Sequence, residues 1–235
     1  MAPNLALDLL GRFRLVVDGA LLNRPATARL QSLLGFLALH MDSPPLRQRL
    51  AFLFWPDTRE PQARTNLRNL LYQLRHTLPE IASMLDLRGS RVAWSPDLAL
   101  SVDVVAFQGA FARGAFAEAV GLYSGDLLPD CFDDWVLVER ERLHELFIEA
   151  LERVIVDLED RHLYSAAVAE AHRLLSIDPL HEDVYRCLLR LYAIRGDRAA
   201  ALRTYQACET LLKRELGVAP SAPTRELYEK LLAAG

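Results

Sequence analysis

Thr65, Asn69, Tyr72 and His76 recur at intervals of four, three and four residues within the stretch REPQARTNLRNLLYQLRHTLP, Arg59 to Pro79. At about 100° per residue this spacing sets them on one face of a helix. Each carries hydrogen-bonding groups of the kind that contact base edges in a DNA major groove. Arg64, Arg68 and Arg75 line one flank of the same helix, where a guanidinium reaches a phosphate. Leu67, Leu70, Leu71, Leu74 and Leu78 fall on the opposite face, as docking on a small core requires. Pro61 suits a first turn and Pro79 stops the helix, so a recognition helix over 61–78 is expected. The bland alternative is an amphipathic helix with a solvated, Arg-rich edge, and the flanking sequence has to decide between them.

Those flanks read as a positioning scaffold. Leu5 to Leu10 and Arg12 to Val17 are strand-like, and Asp18-Gly19 turns the chain into Ala20 to Leu22, which predicts a small antiparallel sheet. Thr27 is a good N-cap for a first helix to His40, with Leu30, Leu33, Leu34, Leu37 and Ala38 at helical spacing. Ser43-Pro44-Pro45 breaks it, and Leu46 to Trp55 forms a second helix with Leu50, Leu53 and Phe54 inward. After the third helix, Leu85, Leu87, Val92 and Trp94 flank Arg88-Gly89-Ser90-Arg91, a hairpin over 85–94 with a basic tip. Ser101-Val102-Asp103 closes the sheet. Three helices and such a hairpin make a winged helix-turn-helix over 1–103, with Arg88 and Arg91 as wing contacts to backbone or minor groove.

From Val104 the strand signals disappear. Helices are expected at about 104–113, 115–123, 133–161, 165–177, 181–194, 199–216 and 224–233. A shift of 34 residues superposes Leu151 on Tyr185, Val154 on Leu188, Leu158 on Tyr192 and Ala167 on Ala201. That is the tetratricopeptide period, so 104–235 is expected to be an all-α, tetratricopeptide-like domain of the kind that holds a peptide or a subunit. The fold class is therefore mainly α with a small β component.

The 235 residues carry a net charge of −4, but unevenly. Residues 1–100 hold 12 Arg against 8 acids, while the remainder holds 15 basic residues against 23 acids. A basic front and an acidic rear fit a nucleic-acid module joined to a protein-binding one. No run of eighteen apolar residues and no signal-like start occur, so a cytoplasmic location without membrane contact is expected. Cys131, Cys187 and Cys208 lack the spacing of a zinc site or disulfide framework, and Cys187 and Cys208 are expected as packed core thiols. No phosphate loop and no GxSxG is present, and His144-Glu145 lacks the second histidine of a metalloprotease helix. Neither an enzyme nor a cofactor is expected. The acidic residues Asp130, Asp133, Asp134, Glu139, Glu141 and Glu145 are interleaved with Arg140 and Arg142, which predicts a solvated, salt-bridged face.

LLGRFRLVVDGALL, LRQRLAFLFWPD, ARTNLRNLLYQLRHTL, DDWVLVERERLHELFIEALERVIVDLEDRH and KRELGVAPSAPTRELYEKLL together resemble the Streptomyces antibiotic regulatory protein family over nearly the whole chain. The resemblance implies an OmpR-type winged helix followed by a bacterial transcriptional activation domain. It implies binding to promoter repeats in double-stranded DNA by a homodimer or tandem protomers, with contact to RNA polymerase. It carries over Thr65, Arg68, Asn69, Tyr72 and His76 as the recognition face and Arg88 and Arg91 as the wing. Arg75-His76-Thr77 is less basic than the helix end usual in that family. The competing reading is a scaffold that has lost DNA binding and uses its helical domain for protein contacts.

Overall fold

The computed structural model of the chain describes residues 3–24 and 26–233 and forms two compact units, Met1–Phe147 and Ile148–Gly235.

In the first unit, β1 (Asn4–Asp8), β2 (Arg14–Val17) and β3 (Ala20–Leu21) pair antiparallel. Asp18 and Gly19, at φ 48° and 82°, form the tight turn from β2 to β3. Paired left-handed residues match the twist of the strands they join. Thr27 caps α1 (Ala28–Leu39), its hydroxyl accepting the Leu30 N–H at 3.4 Å. Then follow α2 (Arg47–Phe54) and α3 (Glu60–Thr77). Pro79 ends α3 as expected but also opens a one-turn helix, α4 (Pro79–Ser83), because the first position of a helix does not need its N–H. A hairpin follows, β4 (Leu85–Asp86) antiparallel to β5 (Ala93–Trp94), and β6 (Ala99–Val102) returns parallel to β1. The sheet order is β3-β2-β1-β6. The closing strand is thus a parallel addition, with α1 to α4 between it and β1 in the chain, and Asp103 lies just past it.

Asp103 opens α5 (Asp103–Ala112), and its carboxylate accepts the N–H groups of Leu9 and Leu10 beyond the end of β1, at 2.8 and 2.9 Å. Burial pushes its pKa above the usual carboxylate range even though these N–H donors, with that of Val104, oppose the shift. After α6 (Phe116–Leu122) the loop is tied to the sheet: the Gly11 N–H donates to the Asp126 carbonyl and the Leu128 N–H to that of Leu9, both at 2.8 Å. Gly11 has φ 72°, and a Cβ there would meet the Ser124 carbonyl oxygen at 2.6 Å, so only glycine fits this close approach.

The expected solvated, salt-bridged face is corrected at two residues: Arg140 donates to the backbone carbonyls of Leu127, Leu128 and Cys131, and Asp133 turns inward. Asp133, just ahead of α7 (Asp134–Asp160), is largely buried and bonds both Arg29 and Ser32 of α1. Trp135 Nε1 donates to the same Ser32 hydroxyl at 2.9 Å. The unburied Glu139–Arg142 pair does behave as a surface ion pair. Structure becomes all-helical at Asp103, yet the compact unit that holds the winged helix runs on to Phe147.

The second unit comprises the end of α7 with α8 (Tyr164–Ile177), α9 (Glu182–Ile194), α10 (Arg198–Leu216) and α11 (Ala222–Ala233). α9 packs against α8, α10 and α11. Ala167, Ala171 and Ala201 are fully buried, small residues where helices approach closely. Cys208 is buried as expected, but Cys187 is only partly so, its Sγ 3.9 Å from Glu159 beside the Arg190–Glu159 ion pair. Its place on the edge of α9 faces that pair rather than the core. Burial pushes both thiols up, to about 11 for Cys187 and about 12 for Cys208.

Glu182 joins α9 to α11. It accepts the Ser221 N–H at 2.8 Å and the hydroxyls of Ser221 and the buried Thr224. Desolvation works to raise its pKa, but those hydrogen bonds and Arg186 together hold it below the ordinary value of 4.5. A depressed carboxylate stabilises the fold above its unfolded-state pKa, and that stabilisation is lost as pH falls through the folded-state value. Glu182→Gln should therefore cost roughly 1 kcal/mol at neutral pH, and the gap from the parent should narrow below pH 4.5. Thermal unfolding at several pH values measures both; a gap that is constant with pH would refute the assignment.

Candidate nucleic-acid interface

α3 buries Ala63, Leu67, Leu70, Leu71 and Leu74, and Leu78 follows them into the core, so the expected apolar stripe is the docked face. The helix packs on α2 and α1. The α2–α3 turn is held by Arg29, whose guanidinium lies 5.9 Å from the Phe54 ring centre and 5.5 Å from that of Trp55 and donates to the Phe54 carbonyl at 3.1 Å. With the stripe buried and the turn pinned, the remaining faces of α3 must meet solvent.

The seven helix residues singled out in the sequence lie together on that outer surface. Asn69 and Arg75 are exposed, and among the described residues their side chains make no hydrogen bond or ion pair. Tyr72 is 61% exposed, and the His76 ring lies over it with centroids 3.9 Å apart. His76 Nδ1 sits 2.9 Å from the Tyr72 carbonyl, so Nδ1 holds the proton and Nε2 is the acceptor of the neutral ring. Thr65 is partly buried; its hydroxyl donates to the Pro61 carbonyl at 3.0 Å and accepts from Arg68 at 2.9 Å. Arg64 is paired with Glu60 one turn earlier. The flank across from the arginines carries Gln62 and Asn66, joined at 2.9 Å.

Arg88 and Arg91 sit at the tip of the hairpin but differ in state. The Arg88 side chain is 93% exposed and only loosely paired with Asp86, at 3.5 Å. The Arg88 backbone N–H holds the Asp86 carboxyl below its usual range. Arg91 folds back and donates to the Pro44 carbonyl, so part of its guanidinium is committed to the scaffold.

What the sequence reading missed is the latch that sets this hairpin. Arg47, first residue of α2, donates through its side chain to the carbonyls of Leu87 and of Gly89, the latter at 3.0 Å, and its own N–H donates to Ser90 at 2.9 Å. Val92 N–H bonds Pro45 at 3.1 Å. A signal did exist: a cation in the first turn of a helix opposes the helix dipole, so Arg47 needs another reason to be there. The latch encloses a groove of about 890 Å³ between the starts of α2 and α3 and the hairpin tip, lined in part by Arg47, Gln48, Glu60, Arg64, Arg68 and Ser90.

This surface offers hydrogen-bond donors, acceptors and guanidinium groups on a rigid helix. Among the described residues no group of three His, Cys, Asp or Glu side chains is placed to hold a metal ion, and no helix is long and apolar enough to cross a membrane.

Residues 106–232 match the family described as Bacterial transcriptional activator domain. Among curated proteins, the regulatory protein AfsR of Streptomyces coelicolor is 32% identical over 124 residues, 52% of this chain and 12% of AfsR. The transcriptional regulatory protein MoaR1 of Mycobacterium tuberculosis is 25% identical over 231 residues, 88% of this chain and 72% of MoaR1. The chain thus spans about an eighth of AfsR but most of MoaR1. Among solved structures, Mycobacterium tuberculosis EmbR, in complex with a low-affinity phosphopeptide, shares the fold with a TM-score of 0.74 at 22% identity, covering 99% of this chain and 66% of that one. With the family match covering more than half of its residues, the chain belongs to the bacterial transcriptional activator domain family, and regulatory proteins stand among its relatives.

Proposed function

We propose that the chain is a transcriptional activator that binds promoter repeats in double-stranded DNA through helix 61–78 and wing 85–94. In this reading 1–103 is the DNA-binding domain and 104–235 the activation domain, which contacts RNA polymerase in the cytoplasm. Asn69 and Tyr72 lie at the centre of the exposed face as base readers, with Thr65 and His76 at its ends. Arg64, Arg68 and Arg75 anchor phosphates along the flank, and Arg88 and Arg91 do so from the wing. The observation that carries this reading is the exposed α3 face itself: seven polar and cationic residues on one helix, with a latched basic hairpin beside its first turns. The regulatory names of AfsR and MoaR1 support it. Two or more protomers on successive half-sites would set repeats about one helical turn, 10–10.5 bp, apart.

The full chain, titrated with its own upstream DNA across a salt series, should bind at low salt and lose affinity steeply as salt rises, as phosphate neutralisation demands. Failure to bind at low salt would leave the scaffold reading in its place. At the level of single residues, Asn69→Ala should reduce discrimination between the preferred site and a scrambled duplex by about 1–3 kcal/mol. Arg68→Ala and Arg88→Ala should instead weaken both duplexes alike and each lower the salt slope by about one. Unchanged site preference in Asn69→Ala would show that the face has been assigned to the wrong residues.

A further inference from the structure

Glu60 is out of place on a surface that takes up phosphates. It is the first residue of α3 and the only carboxylate among the described residues that line the groove, where Arg47, Arg64 and Arg68 supply three positive charges. An acid in the first turn of a helix has an ordinary explanation, since the dipole favours it there. The contacts of Glu60 go elsewhere, however. Its side chain pairs with Arg64 and accepts a hydrogen bond from Gln48 Nε2 of α2 at 3.2 Å, while the N-cap position of α3 makes no side-chain capping bond. The carboxylate therefore occupies the guanidinium that the groove would offer to a phosphate.

We propose that Glu60 competes with DNA phosphate for Arg64 and so limits the affinity of the groove for DNA. This rests on the DNA-binding reading above. Sequence-independent affinity comes from Lys and Arg neutralising phosphates. A carboxylate that must surrender Arg64 before a phosphate can take it penalises every duplex. Because preferred and random duplexes meet the same competitor, the penalty falls on both and cancels from the ratio between them. The competitor thus caps the phosphate-derived, sequence-independent part of the affinity. Both side chains are about half-exposed, so the exchange needs no unfolding.

The test uses the full chain as wild type, Glu60→Gln, Arg64→Ala and the double variant. Each is titrated with the chain's upstream DNA and with a scrambled duplex over a range of salt. Glu60→Gln should tighten scrambled-duplex binding about five- to tenfold at low salt and steepen its salt slope by about one, as one more phosphate contact requires. The preferred site should tighten by a similar factor, so the specificity ratio stays constant. Arg64→Ala should weaken binding by a larger factor in the Glu60→Gln background than in wild type, because only there is Arg64 uncontested. Circular dichroism of each variant checks that α3 remains folded; the Gln variant keeps the shape of the side chain. Unchanged or weaker binding by Glu60→Gln would overturn the proposal while leaving the DNA-binding reading intact. Strictly additive effects of the two substitutions would also overturn it, since a carboxylate acting only through its general field would add. Absence of wild-type binding to either duplex would remove both readings.

Discussion

One-sided burial of α3 is the constraint on which the candidate interface depends. Six side chains from Ala63 to Leu78 are removed from water on one face, and burying each large aliphatic group is worth about 1.5–3 kcal/mol relative to exposure. A rotation of α3 by one residue would expose several of these leucines, so the register of the polar face is set by packing. Thr65, Asn69, Tyr72 and His76 meet solvent because Leu67, Leu71 and Leu74 cannot. The same constraint leaves the arginine flank beside the start of α2, where the groove forms.

Around this helix the scaffold is held by a small number of polar clasps that join distant parts of the chain. Arg29 stacks near Phe54 and Trp55 at the α2–α3 turn and also bonds Asp133 at the entrance of α7. Asp103 takes the N–H groups that follow β1 just where the chain leaves β6. Arg47 bonds the wing carbonyls of Leu87 and Gly89, and Arg91 of the wing bonds the Pro44 carbonyl ahead of α2. At the part-buried Arg29–Asp133 and Asp103 clasps, a neutral side chain would leave partners unsatisfied, which is why their removal costs more than that of an exposed pair. The clasps fix the turn, the sheet edge and the wing relative to α3, the three placements a groove-reading helix needs.

The charge distribution along the chain fits this division. Twelve arginines in the first hundred residues stand against eight acids, and the later helices carry the excess of acid. The front half nevertheless spends several of its arginines internally: Arg14 on Asp8, Arg24 on Glu80, Arg29 on Asp133 and Arg47 on the wing carbonyls. The cations available on the interface are fewer than the count, and their arrangement matters more than the small net charge of the region.

The sequence by itself determined the helices and strands and the face that α3 buries. Helical periodicity in Leu67 to Leu78, the Thr27 cap and the Asp18-Gly19 turn are local properties, set by neighbours a few residues away. Helical periodicity likewise announced the later helices to within a residue or two at their ends. Tertiary structure alone decided which charged residues are structural and which stand free. Asp133 and Arg91 look like surface charges in the sequence, yet one bonds α1 and the other Pro44, partners 101 and 47 residues away in the chain. It alone brought Glu60, Gln48 and Arg47 to one groove, and it carried the first compact unit on to Phe147 through backbone bonds from Gly11 and Leu128. The physical reason is the same in each case: periodicity records which face of an element avoids water, but the partner of a charge is chosen by chain crossings that no local pattern encodes.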